Sequence, residues 1–528
     1  MSGKVSSSRR RRSSSNPVFR NRLNLQKPSG VIAPRVKRVG GERFAIVCID
    51  PAKHRSQWMM ADYFGNLLIE PQTVEHQQNH FDMAVLAVRQ AQTQHHIQDT
   101  IVVVERTGNY YLAPKRAFAR AGFETRVLHP FATKQYRLPA DPGNKTDETD
   151  LYAQHRAAVA GFGLCEADLQ PPYRSLQMRA RHRRKLVEKA TSLACQIREH
   201  LHLGMPGYAA LFYHLLIHQS AMAIARRCQS PADMLQLGEV GLAQVLRDSG
   251  VRHQRRTIEK VLAWAAQASR DLIEDGPLHH AIWTDLEELY RHFERKIRTQ
   301  ECELTHELVR TPYVRLLAIP GINVVSAAEL AGEMGPITNY VNANAITGRS
   351  GLYPARHQSD QTDHNSGPLI RQANRRLRAA LMRIADNLVG HCAYYRSKAE
   401  IDRSRGVQER AIRVKTAKRF SRLAYACVAG DQPMKHSCFR KPDSILVKLR
   451  LFHHDHHTPL DLVLADLETA VTQFPGSVRR QEAATVARAL ELPVRSGGCS
   501  SIADVLPAVL ARLRKLDSKN TTENGDRS

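Results

Sequence analysis

Phe44-Ala45-Ile46-Val47-Cys48-Ile49-Asp50 is an apolar run closed by a single acid. It is short and β-branched enough to read as a buried strand rather than a helix. Ile101-Val102-Val103-Val104-Glu105 is a run of the same kind and also ends on a carboxylate. Between Asp50 and Glu105, His54 to Asp62 and Gly65 to Val74 flank the hairpin signal Tyr63-Phe64-Gly65-Asn66, and Phe81 to Gln92 has apolar residues at helical spacing. After Glu105, Leu112 to Ala121 reads as a helix and Glu124 to Leu128 as a short strand. This order predicts an α/β domain, a mixed sheet with helices on its faces.

Two strands thus each deliver one acid at the C-terminal edge of a sheet, where open α/β sheets keep their sites. Two more acids, Asp147 and Asp150, lie in Lys145-Thr146-Asp147-Glu148-Thr149-Asp150-Leu151-Tyr152-Ala153, followed by the helix-compatible Gln154 to Ala160. Their i, i+3 spacing places both on one helical face. Singly, each has an ordinary explanation, Asp147 as a helix cap and Asp50 as the end of a strand in a turn. As an ordered set of four they suit a hard divalent cation, Mg²⁺ or Mn²⁺, which takes oxygen ligands and assists displacement at phosphorus. The element order is that of a ribonuclease-H-like layout.

Charge points to the same chemistry. The 528 residues include 77 Lys and Arg against 51 Asp and Glu, a formal charge of +26 with a pI near 10.0, which suits a polyanionic partner. A chain of this length with 42% hydrophobic residues has material for about three domains. Residues 1 to 42 contain Arg9-Arg10-Arg11-Arg12 amid serines and read as a disordered basic tail, with no apolar segment after the arginines that would make it a secretory signal. No stretch is long and apolar enough to span a bilayer. Nine cysteines occur without a Cys-x-x-Cys pair, which indicates neither a disulfide framework nor a zinc ribbon and fits a reducing cytoplasm. His453-His454-Asp455-His456-His457 invites a metal assignment, but an exposed polar loop explains it equally well.

A family resemblance rests on three elements: Ile49-Asp50-Pro51-Ala52-Lys53, Val104-Glu105-Arg106-Thr107-Gly108-Asn109-Tyr110 and Lys145-Thr146-Asp147-Glu148-Thr149-Asp150. They resemble the acidic motifs of the DEDD transposases, the RuvC-like recombinases of bacterial insertion sequences called the one-hundred-ten group. A second block resembles that family's C-terminal transposase domain: Leu316-Leu317-Ala318-Ile319-Pro320-Gly321-Ile322, Ser326-Ala327-Ala328-Glu329-Leu330, Gly351-Leu352-Tyr353-Pro354 and Asn374-Arg375-Arg376-Leu377-Arg378. The resemblance implies a RuvC-like fold, Mg²⁺ at Asp50, Glu105, Asp147 and Asp150, and a serine that attacks a DNA phosphate and holds the strand covalently. By position that serine is Ser359, although Asp360 and Ala373 stand where the family usually has glycine and Ser366-Gly367 offers a neighbouring pair. It further implies DNA as substrate, a guide RNA encoded by the element, a homodimer or homotetramer, and a nucleoid-associated location in the cytoplasm.

The second block also has its own physical reading. Ile319-Pro320-Gly321-Ile322 before a small-residue helix resembles a helix-hairpin-helix turn, in which Gly321 lets the backbone approach a phosphate; a tight turn before a packed helix is the plainer account. Arg371, Arg375, Arg376, Arg378 and Arg383 form a basic helical stretch without a nearby acid until Asp386, and read as phosphate contacts.

The intervening region is helical. Leu186, Ala190, Leu193 and Ile197 repeat at 4-3-4 spacing, and Leu286, Tyr290, Phe293, Ile297 and Leu304 nearly continue a heptad with a break at Gln300. Antiparallel helices, an intermolecular coiled coil and an ordinary bundle all satisfy this pattern; the resemblance favours a coiled-coil insertion, lengthened by residues 205 to 280. The expected organisation is a tail at 1–42, a catalytic α/β domain at 43–165, a helical region at 175–310, a mainly helical transposase domain at 311–395, a basic helical extension at 396–514 and a polar tail at 515–528. Two other functions share parts of this reading: a structure-specific nuclease using water as nucleophile, and a degenerate copy that only binds DNA.

Overall fold

The computed structural model describes residues 32–475 and 511, except 141–142, 167, 269–274, 356, 360–361, 365–366 and 372; for 357–359, 362–364 and 443 only the backbone is described. The chain forms two compact units, Met1–Asp168 and Leu169–Ser528.

The first unit runs α1 (Ala33–Val39), β1 (Phe44–Pro51), β2 (Arg55–Asp62), β3 (Leu67–Glu75), α2 (Gln78–Gln94), β4 (Asp99–Glu105), α3 (Leu112–Arg120), β5 (Glu124–Leu128), α4 (Pro130–Arg137) and α5 (Asp147–Val159). Its five-stranded sheet has the order β3-β2-β1-β4-β5. β1 is antiparallel to β2 and parallel to β4, which is parallel to β5. The predicted mixed sheet is therefore present, and its two apolar runs are neighbouring central strands.

Strand alternation divides these runs between two cores. Ala45, Val47, Ile49, Val102 and Val104 pack with Phe81, Val88 and Phe118, from α2 and α3. Phe44, Ile46, Cys48, Ile101 and Val103 pack with Ala132, Leu151, Ala157 and Ala158, from α4 and α5. Burial on both faces explains why neither run alternates with polar residues.

The expected basic tail is corrected in part. Residues 1–31 lie outside the described residues, but 33–39 form α1, and Ile32 before it is fully buried in the second of these cores. Arg35 Nε donates to Asp99 at 2.8 Å and Arg38 Nη2 at 3.0 Å, so these two cations serve the fold. Ile32 anchors this segment in the core through an apolar side chain.

The second unit contains α6 (Pro171–Gly204), α7 (Gln219–Arg227), α8 (Pro231–Asp248), α9 (Arg255–Gln267), α10 (Gly276–Leu308), α11 (Val324–Met334), α12 (Ala343–Ser350), the strands β6 (His357–Ser359) and β7 (Thr362–His364), then α13 (Arg375–His391), α14 (Ala393–Ser404), α15 (Glu409–Ala429), α16 (Asp443–Asp455) and α17 (Leu460–Thr472). α6 and α10 run antiparallel within one chain: Arg183 pairs with Glu301 near one end, and His200 meets His279 at 3.0 Å near the other. Leu186, Ala190 and Ile297 are buried between them, with Tyr290 and Phe293 against that seam. Ala194, not Leu193, takes the buried position in α6. Residues 205–280 have a core of their own with the ends of the long helices, including Tyr208, Met222, Leu242, Val261 and Trp283. Residues of the expected 311–395 domain and of the described part of the 396–514 extension share one core, from Tyr313 and Leu330 to Leu446 and Phe474.

Candidate active site

Asp50 follows Phe44, Ile46 and Cys48 by the strand period of two, and Glu105 follows Ile101 and Val103 in the same way. Because Ile49 and Val104 are register partners in a parallel pair, the two acids are the next residues on adjacent strands. The same alternation turns both toward the face covered by α4 and α5.

α5 begins at Asp147. Thr146 caps it, its hydroxyl accepting from the Thr149 amide at 3.1 Å while the Thr149 hydroxyl accepts from the Thr146 amide at 3.0 Å. That box lets the first turn carry Asp147, Glu148 and Asp150, whose charges suit a helix N-terminus. Asp147 is exposed, while Asp150, one turn on, is buried in the face that packs toward the sheet.

The four acids act on one another. Burial, reinforced by the charges of Glu105, Asp150 and Asp147, pushes the Asp50 carboxyl up to about 7. Burial likewise raises Glu105, with Asp150 adding to the rise and Thr133, Lys145 and Arg137 opposing it. Burial is the larger cause of both shifts and the neighbouring acids the smaller, a combination that concentrates at functional sites.

Three basic or neutral neighbours complete the site, and none was anticipated from sequence. Arg137, at the end of α4, forms a short ion pair with Asp150, with both side chains mostly buried. Thr133, one turn earlier, is buried with its hydroxyl lacking a well-formed hydrogen bond, although it lies near enough to Glu105 to favour the ionised carboxylate. Gln154, one turn beyond Asp150 in α5, is fully buried, and neither atom of its amide has a partner among the described residues. The only local signal for α4 was Pro130 following His129, whose ring nitrogen accepts from the Phe131 amide at 3.1 Å; no apolar stripe announced it.

A divalent cation would meet a suitable donor set here: hard oxygen atoms, like charges in need of neutralisation, and buried polar atoms without partners. Among the described residues, no three His, Cys, Asp or Glu side chains are close enough to hold one ion. Mg²⁺ rarely asks for three, since one or two carboxylates with water and substrate phosphate commonly suffice. Asp50 and Glu105 are the pair that the sheet holds in register.

In the second unit, Ser359 ends β6 opposite Thr362 rather than lying in an open loop, and Ser366 lies outside the described residues. Gly351 closes α12 with φ of +62°, and Arg378 Nε donates to the Ser350 carbonyl at 2.8 Å while its Nη2 reaches the Ile370 carbonyl. Arg378 therefore braces the loop that carries β6 and β7. Arg371, Arg375 and Arg376 are exposed. Arg383 is corrected: it pairs with Glu329 of α11, and Asp386 pairs with Arg413. Those partners sit on other helices, which is why the sequence around Arg383 looked uncompensated. Asn374 caps α13, accepting from the Leu377 amide at 3.0 Å, and its amide also donates to the buried Glu333 at 3.3 Å.

The histidine cluster is not an exposed loop. His453 and His456 lie at the end of α16, His453 buried against Asp466 at 3.3 Å and His456 donating to Glu301 at 2.6 Å, while His454 and His457 are exposed. The pair that faces inward joins α16 to α17 and α10.

Comparison with known proteins gives two family models. One, for the DEDD transposases of the IS110 group and described as a transposase, matches residues 47–206. The other, described as the transposase IS116/IS110/IS902 family, matches residues 313–401. The first covers Asp50, Glu105, Asp147 and Asp150, and the second covers Ser359 and the Asn374–Arg378 segment. No curated protein matches the chain.

Proposed function

We propose that this chain, which belongs to the IS110 group of transposases, cleaves and rejoins DNA strands to mobilise an insertion sequence. The observation that carries the reading is the placing of Asp50 and Glu105 on adjacent parallel strands, facing the helix that bears Asp147 and Asp150. The mixed sheet with its β3-β2-β1-β4-β5 order supports a ribonuclease-H-like, RuvC-like ancestry for this unit.

Asp50 and Glu105 would hold Mg²⁺ or Mn²⁺, with Asp147 and Asp150 as further ligands, and the ion would supply Lewis-acid stabilisation of charge developing on phosphate oxygens. Arg137 pairs with Asp150 and orients it from within the same unit. Ser359 is the proposed nucleophile: its hydroxyl oxygen forms an ester bond to the DNA phosphorus as the bond from phosphorus to the deoxyribose oxygen breaks, and the serine proton passes by way of solvent to that leaving oxygen. Attack by a second deoxyribose hydroxyl on that ester reverses the step and joins new partners.

A net charge of +26 supports binding to DNA and to a structured guide RNA encoded by the element. Assembly as a dimer or tetramer and action at the nucleoid belong to the same proposal. No helix among the described residues is long and apolar enough to cross a membrane.

The decisive experiment incubates the purified chain with labelled DNA from its element's junction, the flanking RNA and Mg²⁺, followed by a denaturing gel. A protein–DNA adduct that requires Mg²⁺ and vanishes in Ser359→Ala is expected. Metal-dependent cleavage that survives Ser359→Ala without an adduct would instead identify a nuclease that uses water.

A further inference from the structure

The hairpin between Leu316 and Asn323 carries a cation of its own. Lys448, in α16, donates to the carbonyls of Leu317 at 2.6 Å, Ile319 at 2.8 Å and Ile322 at 2.9 Å. An ammonium group has three N–H donors and no acceptor, so every proton is used and all three bonds end on one turn.

The backbone explains why the three oxygens converge. A 3-10 helix over Pro312–Ala318 ends there, leaving carbonyls without helical partners. The turn is closed by the Ile322 amide donating to Ile319 at 3.2 Å, and the chain passes through Gly321 at φ +88° before Asn323 caps α11. Leu317, Ile319 and Ile322 thereby aim their carbonyls into one place. α16 covers it, with Ile445, Leu446 and Leu449 buried in the core on either side of Lys448, and the Arg440 amide donates to Ala318 at 2.9 Å.

Burial and the Arg440 charge pull Lys448 down to about 8. A charge in such surroundings persists only where oxygen atoms replace its lost water, and three carbonyls do so. Rings of backbone carbonyls are also the ligands that strip water from a potassium ion, whose charge matches that of an ammonium group.

We propose that the Lys448 ammonium is a resident cation in a monovalent-cation site formed by the Leu317, Ile319 and Ile322 carbonyls, and that removing it opens a site selective for K⁺ or NH₄⁺. The site lies outside the carboxylate cluster and does not depend on the transposase reading. It accounts for a half-buried lysine whose ammonium donates to three backbone carbonyls: the hairpin is its counterpart.

The test is thermal unfolding of the full chain and of Lys448→Met in chloride salts of K⁺, NH₄⁺, Li⁺ and tetramethylammonium at equal ionic strength. Wild type should melt at nearly the same temperature in all four. Lys448→Met should melt several degrees lower in tetramethylammonium and Li⁺, and recover at least half of that loss in K⁺ or NH₄⁺ with a saturable dependence on concentration. A deficit of equal size in every salt would overturn the proposal, as would a variant that melts like wild type throughout. If Lys448→Met does not fold, Lys448→Gln goes through the same series, with refolding yield as the readout and the same K⁺ or NH₄⁺ dependence required. DNA binding measured in parallel separates the two readings, because wild type that fails to bind DNA would count against the transposase proposal while leaving the cation result intact.

Discussion

Asp50 carries most of the electrostatic strain of the carboxylate site. Its carboxyl is raised from 3.8 to about 7, so the folded chain holds this proton more tightly than the unfolded chain does. The stabilising effect of that proton is complete below about pH 4 and is lost as pH rises through about 7. Asp50→Asn, which cannot ionise, should therefore match wild type near pH 4 and exceed it above pH 7 by on the order of 4 kcal/mol; urea unfolding at the two pH values, without divalent metal, measures the difference. Gln154 offers a second check. Its buried amide has no partner among the described residues, so Gln154→Leu should raise stability by about 1–3 kcal/mol, while any loss of metal-dependent cleavage in this variant would show that the amide serves the site. At this scale the acids were legible because each ends a recognisable run. Arg137, Thr133 and Gln154 were not, since nothing in their neighbouring residues distinguishes them from surface polar groups.

At the scale of elements, patterning told strands from helices wherever a side chain's fate followed from its neighbours. β5 occupies the expected Glu124–Leu128, and β2 and β3 flank the expected turn. α4 escaped notice because it is eight residues long and buries only Ala132 and Thr133. α5 depends on its cap: Thr146→Ala removes the hydroxyl that accepts from Thr149 and should cost about 1 kcal/mol. The loss should appear as faster hydrogen exchange in the first turn of α5, together with weaker Mg²⁺ binding if Asp147 and Asp150 are ligands. Gly321 was read as a residue that lets a phosphate approach, yet the neighbour that fills its missing side chain is α13: a Cβ there would lie 2.7 Å from the Asn387 carbonyl, in a backbone conformation that disfavours side chains. Gly321→Ala should therefore destabilise the chain by about 2–4 kcal/mol, measured by denaturant unfolding, before any effect on DNA is considered.

For the whole molecule, the net charge of +26 sets the behaviour toward nucleic acid more than any one contact does. Affinity for arbitrary duplex DNA should fall linearly on a plot of log K against log salt, with a slope whose magnitude counts the phosphates neutralised. Replacing the exposed Arg371, Arg375 and Arg376 together by Ala should reduce that slope by about 3 if they meet phosphates, and leave it unchanged if they are a solvated face. The heptad-like stripes of α6 and α10 show why periodicity could not decide assembly: an intrachain antiparallel pair satisfies the same repeat as a contact between chains.

Sequence alone determined the five strands of the first sheet, most of the helices, the order of the four acids and the preference for a polyanionic partner, because those properties follow from neighbours two to four residues apart or from a sum over the chain. Only the tertiary structure decided that Asp150 meets Arg137, that Arg383 is neutralised by Glu329, and that Lys448 reaches a hairpin more than a hundred residues before it. Such pairings join residues whose local sequences carry no record of each other; they exist because hydrophobic packing brings the helices together, and a buried charge must then find its partner among whatever groups that packing has placed within reach.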